Sequence, residues 1–262
     1  MRSATNRSSM RVTAVIPARY ASTRLPGKPL LEVAGKPMVV HVWEQAKRAD
    51  WVSDTIVVTD DRRIADVVQA AGGRVLISQG AFETGTDRVV GVIDYLEGEI
   101  IVNLQGDEPL IEPSVIDETI RALVEDREAG VSSAKTPIVR PAELLDPNHV
   151  KVAVDANGYA VVFTRGVFPY CHDVMAGQSW PREFDGAFFR HIGIYAWRRE
   201  VLASWRNWPV SRIGNLERLE QWRILEQRVL IKVPTVVTES IGVDTESDLE
   251  RVRQVMLTER RN

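Results

Sequence analysis

The chain has almost no cysteine, no long apolar run and no large excess of either charge, and each shortage removes a class of protein. Cys171 is the only cysteine in 262 residues, so no internal disulfide can form and a reducing, cytoplasmic setting is expected. No stretch reaches the roughly 18 consecutive apolar residues that a membrane helix needs, so no membrane partner is expected. Lys and Arg number 33 against 36 Asp and Glu, a net charge of −3, which argues against nucleic acid as a partner. Both common phosphate fingerprints are missing. Gly27-Lys28 runs into Pro29 instead of Ser or Thr, and no Gly-x-Gly-x-x-Gly occurs. Residues 1–10 are polar and small with no apolar h-region after them, and they read as a disordered tail.

What is present is enough apolar material for a core, 44% of residues, arranged in alternating strand and helix signals. Strands are predicted at 12–16, 55–59, 74–77 and 99–104, and helices at 37–50, 62–71, 86–96 and 113–128. That order predicts an α/β fold with a doubly wound, mostly parallel sheet. The second half is more mixed. A hairpin is expected at 150–155 and 160–165 around the turn Ala156-Asn157-Gly158, a long loop at 171–184, a strand at 191–197 and a helix at 215–227. Residues 232–237 and a last helix from 246 to about 257 complete the chain. With no repeat or linker, 11–262 is read as one domain carrying a small inserted lobe at about 150–210.

Chemistry is concentrated where strands end. Directly after the first strand come Ala18, Arg19, Ser22, Thr23, Arg24, Gly27 and Lys28, cations and hydroxyls on a path fixed by prolines and a glycine. Such a loop is a receptor for a polyanion, at the strand end where open α/β sheets bind ligands; the plainer alternative is a solvated basic loop. The strand at 99–104 delivers Gln105-Gly-Asp-Glu-Pro109 to the same face, and Asp107 can stand beside a polyphosphate only with an intervening cation, for which Mg2+ is the natural choice. Asp244 offers a second carboxylate of this kind, or a helix N-cap. Thr84-Gly-Thr-Asp-Arg88 opens a helix, with Thr84 or Thr86 as its cap. His191, Tyr195 and Glu217 have structural alternatives: a core histidine, a core tyrosine and a solvated helix face.

These segments together, from about residue 12 to 252, resemble the CMP-sugar synthetase family, and most of all its branch acting on 3-deoxy-manno-octulosonate. The resemblance implies a dimeric, Mg2+-dependent Rossmann-like nucleotidyltransferase. It would pass CMP from CTP to a small acidic acceptor and release pyrophosphate. It places Ala18, Arg19, Ser22, Arg24, Lys28, Thr84, Gly85, Thr86, Arg88 and Gln105 at the nucleotide, and Asp107 and Asp244 at the metal. Arg19, Lys28 and Asp107 would carry the catalytic charge. Gln105, Arg165, Arg190, His191, Tyr195, Glu220 and Gln221 would form the acceptor pocket, with the lobe contributing dimer contacts.

The nucleotide motifs are intact, whereas the acceptor side departs from the family pattern. Thr164 stands for a Ser, His172 for an Arg, and Val210 and Gly214 for a Pro and a Glu. These changes predict that the best acceptor is not the plain sugar but another anion, such as an amino-substituted ulosonate or a small phosphonate. Rivals of other classes are a glycosyltransferase, disfavoured by Gln-Gly-Asp-Glu in place of Asp-x-Asp, and a silent nucleotide-binding module.

Overall fold

The structure, a computed structural model, describes residues 10–21, 25–172, 186–238 and 241–259. Residues 173–184 of the loop expected at 171–184, most of the expected tail, and Ser22, Thr23 and Arg24 lie outside the described residues.

The strands are β1 (Val12–Ala18), β2 (Glu32–Val33), β3 (Lys36–Pro37), β4 (Asp54–Thr59), β5 (Arg74–Ile77), β6 (Ile100–Leu104), β7 (Val131–Pro137), β8 (Lys151–Val154), β9 (Ala160–Thr164), β10 (Phe189–Arg198) and β11 (Ile231–Lys232). The helices are α1 (Met38–Arg48), α2 (Arg62–Ala70), α3 (Gly85–Gly91), α4 (Pro113–Glu125), α5 (Pro141–Leu145), α6 (Arg199–Ser204), α7 (Arg212–Glu217), α8 (Gln221–Glu226) and α9 (Glu246–Glu259). None among the described residues is long and apolar enough to cross a membrane.

The main sheet runs β11-β7-β10-β6-β1-β4-β5, with the β8–β9 hairpin attached through β10. β1 pairs in parallel with β4 on one side and β6 on the other. The connection reverses direction there, so a crevice opens past the carboxyl ends of β1 and β6, the place where doubly wound sheets bind ligands. One face of the sheet is covered by α1, α2 and α4 through residues such as Val39, Ile64 and Ile120. The other is covered by α3, α6 and α8 through Val89, Leu202 and Ile224. This is the α/β, mostly parallel, helix-flanked sheet that the alternation predicts.

β10 is the exception to parallel order, running antiparallel to both β6 and β7. Its opening residues therefore lie beyond the end of β6, which brings Arg190 and His191 to the crevice. The segment 150–210 is divided accordingly: β8 and β9 form a hairpin, and β10 is a central strand of the main sheet.

The short elements β2, β3, α5 and α6 have no counterpart among the expected ones, α3 ends at Gly91, short of the expected 96, and two further differences bear on the site. β7 was not foreseen, because Val-Ser-Ser-Ala-Lys-Thr-Pro lacks an apolar run. Its polar side chains are buried but satisfied: Ser133 Oγ donates to the Ile194 carbonyl at 2.8 Å and Lys135 Nζ to that of Val233 at 2.6 Å. The single helix expected at 215–227 is two, α7 and α8, parted where Arg218 takes a left-handed conformation at φ 56° and ψ 45°.

Candidate active site

The centre of the crevice is a three-way ionic contact. Gly27, at φ 71°, turns the chain into the 3-10 helix Lys28–Leu30, and a Cβ at Gly27 would stand 3.0 Å from the Tyr20 ring. Lys28 is thereby aimed inward. Its Nζ donates to Asp107 Oδ2 at 2.5 Å, to the Val243 carbonyl at 2.7 Å and to Asp244 Oδ1 at 3.2 Å. Burial works against the ammonium charge, but the Asp107 and Asp244 carboxylates more than offset it and raise its pKa above that of an ordinary lysine.

Backbone and core both hold this arrangement. The Val243 amide donates to the Asp107 carbonyl at 2.9 Å. A small apolar cluster joins Leu25 and Val33, near Lys28, to Val243, Leu249 and Val252. The start of α9 is served by Thr245 and Asp248: Thr245 Oγ1 accepts from the Asp248 amide at 3.2 Å, and Asp248 Oδ2 accepts from the Thr245 amide at 2.9 Å. The Asp244 carboxylate is therefore not spent as a cap and faces Lys28. Two carboxylate oxygens, with no third His, Cys, Asp or Glu grouped beside them among the described residues, suit Mg2+. That ion takes one or two carboxylates and completes its shell with phosphate oxygens and water.

Around Lys28, Asp107 and Asp244 lies a pocket of about 270 Å³ whose walls include Ala18, Arg19, Thr84, Gly85, Arg88 and Gln105. Thr84 is the N-cap of α3, paired with Asp87 in a capping box. Arg88 is a buried wall residue; its guanidinium donates to Ser78 Oγ at 2.6 Å and Asp60 Oδ2 at 2.8 Å, with the Phe82 ring 5.1 Å away. Thr86 sits behind the wall. Its hydroxyl donates to Glu220 Oε1 at 2.8 Å and accepts from Asn103 Nδ2 at 3.0 Å.

The pocket adjoins a larger cleft of about 1690 Å³ that reaches Gln105, Arg165, Arg190, His191, Tyr195, Glu220 and Gln221. This side is polar and carries charges of both signs, Arg165 and Arg190 among them. Burial, and after it Arg190, pushes the His191 pKa down to about 3, so the imidazole is neutral. His191 Nε2 contacts Ser133 Oγ at 2.7 Å, and its ring stands edge-on to Phe163. His191 therefore contributes shape and a hydrogen bond, and no positive charge. Gln221 Nε2 donates to the Tyr195 hydroxyl at 2.5 Å. Burial raises the Glu220 pKa against the hydrogen bonds from Thr86 and Thr84. Glu220 Oε2 and Gln221 Oε1 are buried with no protein partner among the described residues, two unsatisfied acceptors beneath the floor of the cleft. Arg165 is partly committed, Nε donating to the Glu217 carbonyl at 2.7 Å and Nη1 to that of Pro147 at 2.8 Å.

Glu217 is not the solvated face residue that helical spacing suggests. Its carboxylate accepts from Thr164 Oγ1 and from the Arg165 amide, each at 2.7 Å, clamping α7 to the end of β9. The Thr164 hydroxyl is thus used inside the fold. Gly214 is packed so that an added Cβ would lie 2.8 Å from the Leu219 carbonyl oxygen, which leaves no room for a side chain. Of the altered positions, Val210 and Gly214 border the cleft. Asn103, Ser133, Asp87 and Arg223 belong to the site's framework; Asp87 stands within the Thr84–Arg88 motif, and the other three fall outside every motif read from the sequence. Of those three, only Asn103, one polar residue within an apolar strand, gave a signal there.

Comparison with known proteins agrees with this geometry. The profile of the cytidylyltransferase family matches residues 13–232. The 3-deoxy-manno-octulosonate cytidylyltransferase of Geobacter sulfurreducens is 45% identical over 250 residues, covering 93% of this chain and 98% of the relative. The enzyme of the same name from Yersinia enterocolitica is 42% identical over 253 residues, covering 95% and 99%. A solved CMP:2-keto-3-deoxy-manno-octonic acid synthetase complexed with CTP superposes with a TM-score of 0.87 at 38% identity, covering 95% of this chain and 99% of that one. A 4-diphosphocytidyl-2C-methyl-D-erythritol synthase from Anaerococcus prevotii, 14% identical, shares the fold at a TM-score of 0.59. The chain belongs to the cytidylyltransferase family and is a CTP-dependent enzyme of it.

Proposed function

We propose that this enzyme transfers CMP from CTP to 3-deoxy-manno-octulosonate and releases pyrophosphate, with Mg2+ as cofactor. The observation that carries the reading is the convergence of Lys28, Asp107 and Asp244 between a small pocket and a polar cleft. In the reaction an acceptor hydroxyl gives up its proton to solvent and its oxygen bonds to the α-phosphorus, the bond from that phosphorus to the bridging oxygen breaks, and pyrophosphate leaves with the electron pair. The protein's work is alignment and charge stabilisation. Lys28 and Arg19 hold the charge that gathers on the leaving pyrophosphate, while Ala18, Thr84, Gly85, Arg88 and Gln105 shape the nucleotide pocket. Ser22 and Arg24 keep the nucleotide role that the family resemblance gives them. Mg2+, held by Asp107 and Asp244, would supply further neutralisation of the triphosphate.

Arg165 and Arg190 supply positive charge for the acceptor's carboxylate, and Glu220, Gln221, Tyr195 and His191 supply hydrogen-bonding groups for its hydroxyls. The names borne by relatives at 42–46% identity support the plain sugar as acceptor. Two features first read as signs of another acceptor have structural uses: Thr164 holds Glu217, and Gly214 admits the Leu219 carbonyl. Another small anion is the second reading, favoured by Val210 at the cleft. Exposed apolar side chains such as Val161 and Leu216 support a homodimer, and the single cysteine supports the cytoplasm. The test is kcat/KM with CTP across 3-deoxy-manno-octulosonate, amino-substituted ulosonates and small phosphonates. The plain sugar is expected to be best, and a better phosphonate would overturn the assignment.

A further inference from the structure

Asp87 has no part in the chemistry above, yet its carboxylate joins the two sides of the cleft. Oδ2 accepts from the Thr84 amide at 3.0 Å and from Thr84 Oγ1 at 2.9 Å. Oδ1 accepts from Trp205 Nε1 at 2.7 Å and from Arg223 Nη1 at 3.3 Å. Arg223 lies on α8, two residues after Gln221, and is itself fixed. Its Nη2 donates to the carbonyls of Trp205 at 2.9 Å and Trp208 at 2.5 Å, and its guanidinium lies 4.3 Å from the Trp205 ring centre. A second bridge, Thr86 to Glu220 at 2.8 Å, runs beside the first. Residues 84–87, on the nucleotide side, are thus tied at two points to residues 220–223, on the acceptor side.

We propose that Asp87 is a positioning residue that couples the two substrate sites, so that filling the acceptor side tightens the nucleotide side and the reverse. The inference rests on the functional reading above, since it takes CTP and an acidic sugar as the two ligands. The carboxylate suits this use because it has acceptor capacity on both oxygens and no donor. An amide in its place must turn its NH2 either toward Trp205 and Arg223 or toward Thr84, and one side of the junction then opens. The Asp87 side chain is only 24% exposed and that of Arg223 15%, so water replaces a lost partner poorly. By linkage the effect is reciprocal.

The test measures binding without turnover, by calorimetry. The dissociation constant of α,β-methylene-CTP is determined with and without saturating 3-deoxy-manno-octulosonate. In the unaltered enzyme the sugar is expected to tighten the analogue about fivefold or more, a typical coupling. Asp87→Asn and Arg223→Met should bring that ratio to within about twofold of one, and Asp87→Glu should restore it, being a charged acceptor like the original. A purely structural loss would weaken both ligands and leave the ratio intact. Should Asp87→Asn fold poorly by circular dichroism, Trp205→Phe, which removes one donor and keeps an aromatic ring, is expected to lower the ratio as well. A ratio of one in the unaltered enzyme, or an unchanged ratio in the variants, overturns the inference. Failure of the unaltered enzyme to bind the analogue at all strikes the functional reading instead.

Discussion

Lys28 Nζ stands 2.5 Å from Asp107 Oδ2, so the cation proposed for the triphosphate is paired with a carboxylate proposed for the metal. A divalent ion arriving at Asp107 and Asp244 must take the place of this ammonium. Lys28→Met should therefore bind Mn2+ about tenfold or more tightly in the absence of nucleotide, since a positive charge within contact distance is removed. Turnover in the same variant should fall by orders of magnitude. Mn2+ titration followed by electron paramagnetic resonance checks the first expectation, and equal affinity in the two proteins contradicts it.

Asp107→Asn tests the other partner. A neutral amide cannot balance a divalent charge, so turnover at saturating Mg2+ should drop by about a hundredfold or more with the fold retained. Near-normal turnover would remove Asp107 from the metal site.

The nucleotide pocket, at about 270 Å³, is small and walled by the turn Thr84–Gly85 and by the buried Arg88. A preference for CTP over ATP and GTP is expected, with Arg88 held in place at the wall by Asp60 and Ser78. Competition of each triphosphate against CTP in the pyrophosphate assay is the check, and comparable rates with a purine would show that the pocket does not select the base.

His191 makes stability depend on pH with a definite sign. Its folded pKa of about 3 lies below the ordinary value of 6.5, so between those limits the unfolded chain binds the extra proton. Stability from this group is intact above pH 6.5 and is lost as the pH falls toward 3, by about 1.4 kcal/mol per pH unit at the steepest. Denaturant titrations of the unaltered protein and His191→Gln between pH 7 and 4.5 should diverge in slope by that order. Parallel curves would mean that the imidazole protonates freely in the fold.

Gly214 gives the last variant. A methyl group there meets the Leu219 carbonyl at 2.8 Å and Ser211 Cβ at 3.0 Å, so Gly214→Ala should cost about 1–3 kcal/mol by overpacking and lower the thermal midpoint. An unchanged midpoint would show that the turn into α8 yields easily.

How much of this was legible in the sequence depended on where each residue's partner lies. β1 and β6 are parallel strands buried on both faces, so they read as apolar runs, and the motifs after them carry Lys28 and Asp107. β7 was hidden because its stability comes from Ser133 and Lys135 finding acceptors on β10 and near β11, which no local pattern records. The break between α7 and α8 rests on Arg218 in a left-handed conformation, where periodicity predicts an unbroken helix. It sends Glu220 to Thr86 and Gln221 to Tyr195. Asp87 completes the capping box of Thr84, but its bonds to Trp205 and Arg223 depend on tertiary folding.

The central claim is CMP transfer to an acidic sugar, and stoichiometry tests it most directly. Purified enzyme with CTP, Mg2+ and 3-deoxy-manno-octulosonate is followed by phosphorus NMR. The account predicts that each CTP consumed yields one pyrophosphate and one CMP-sugar phosphodiester, and that nothing happens without the sugar. CTP that stays intact in the complete mixture, or breaks down to CDP and phosphate, would contradict it.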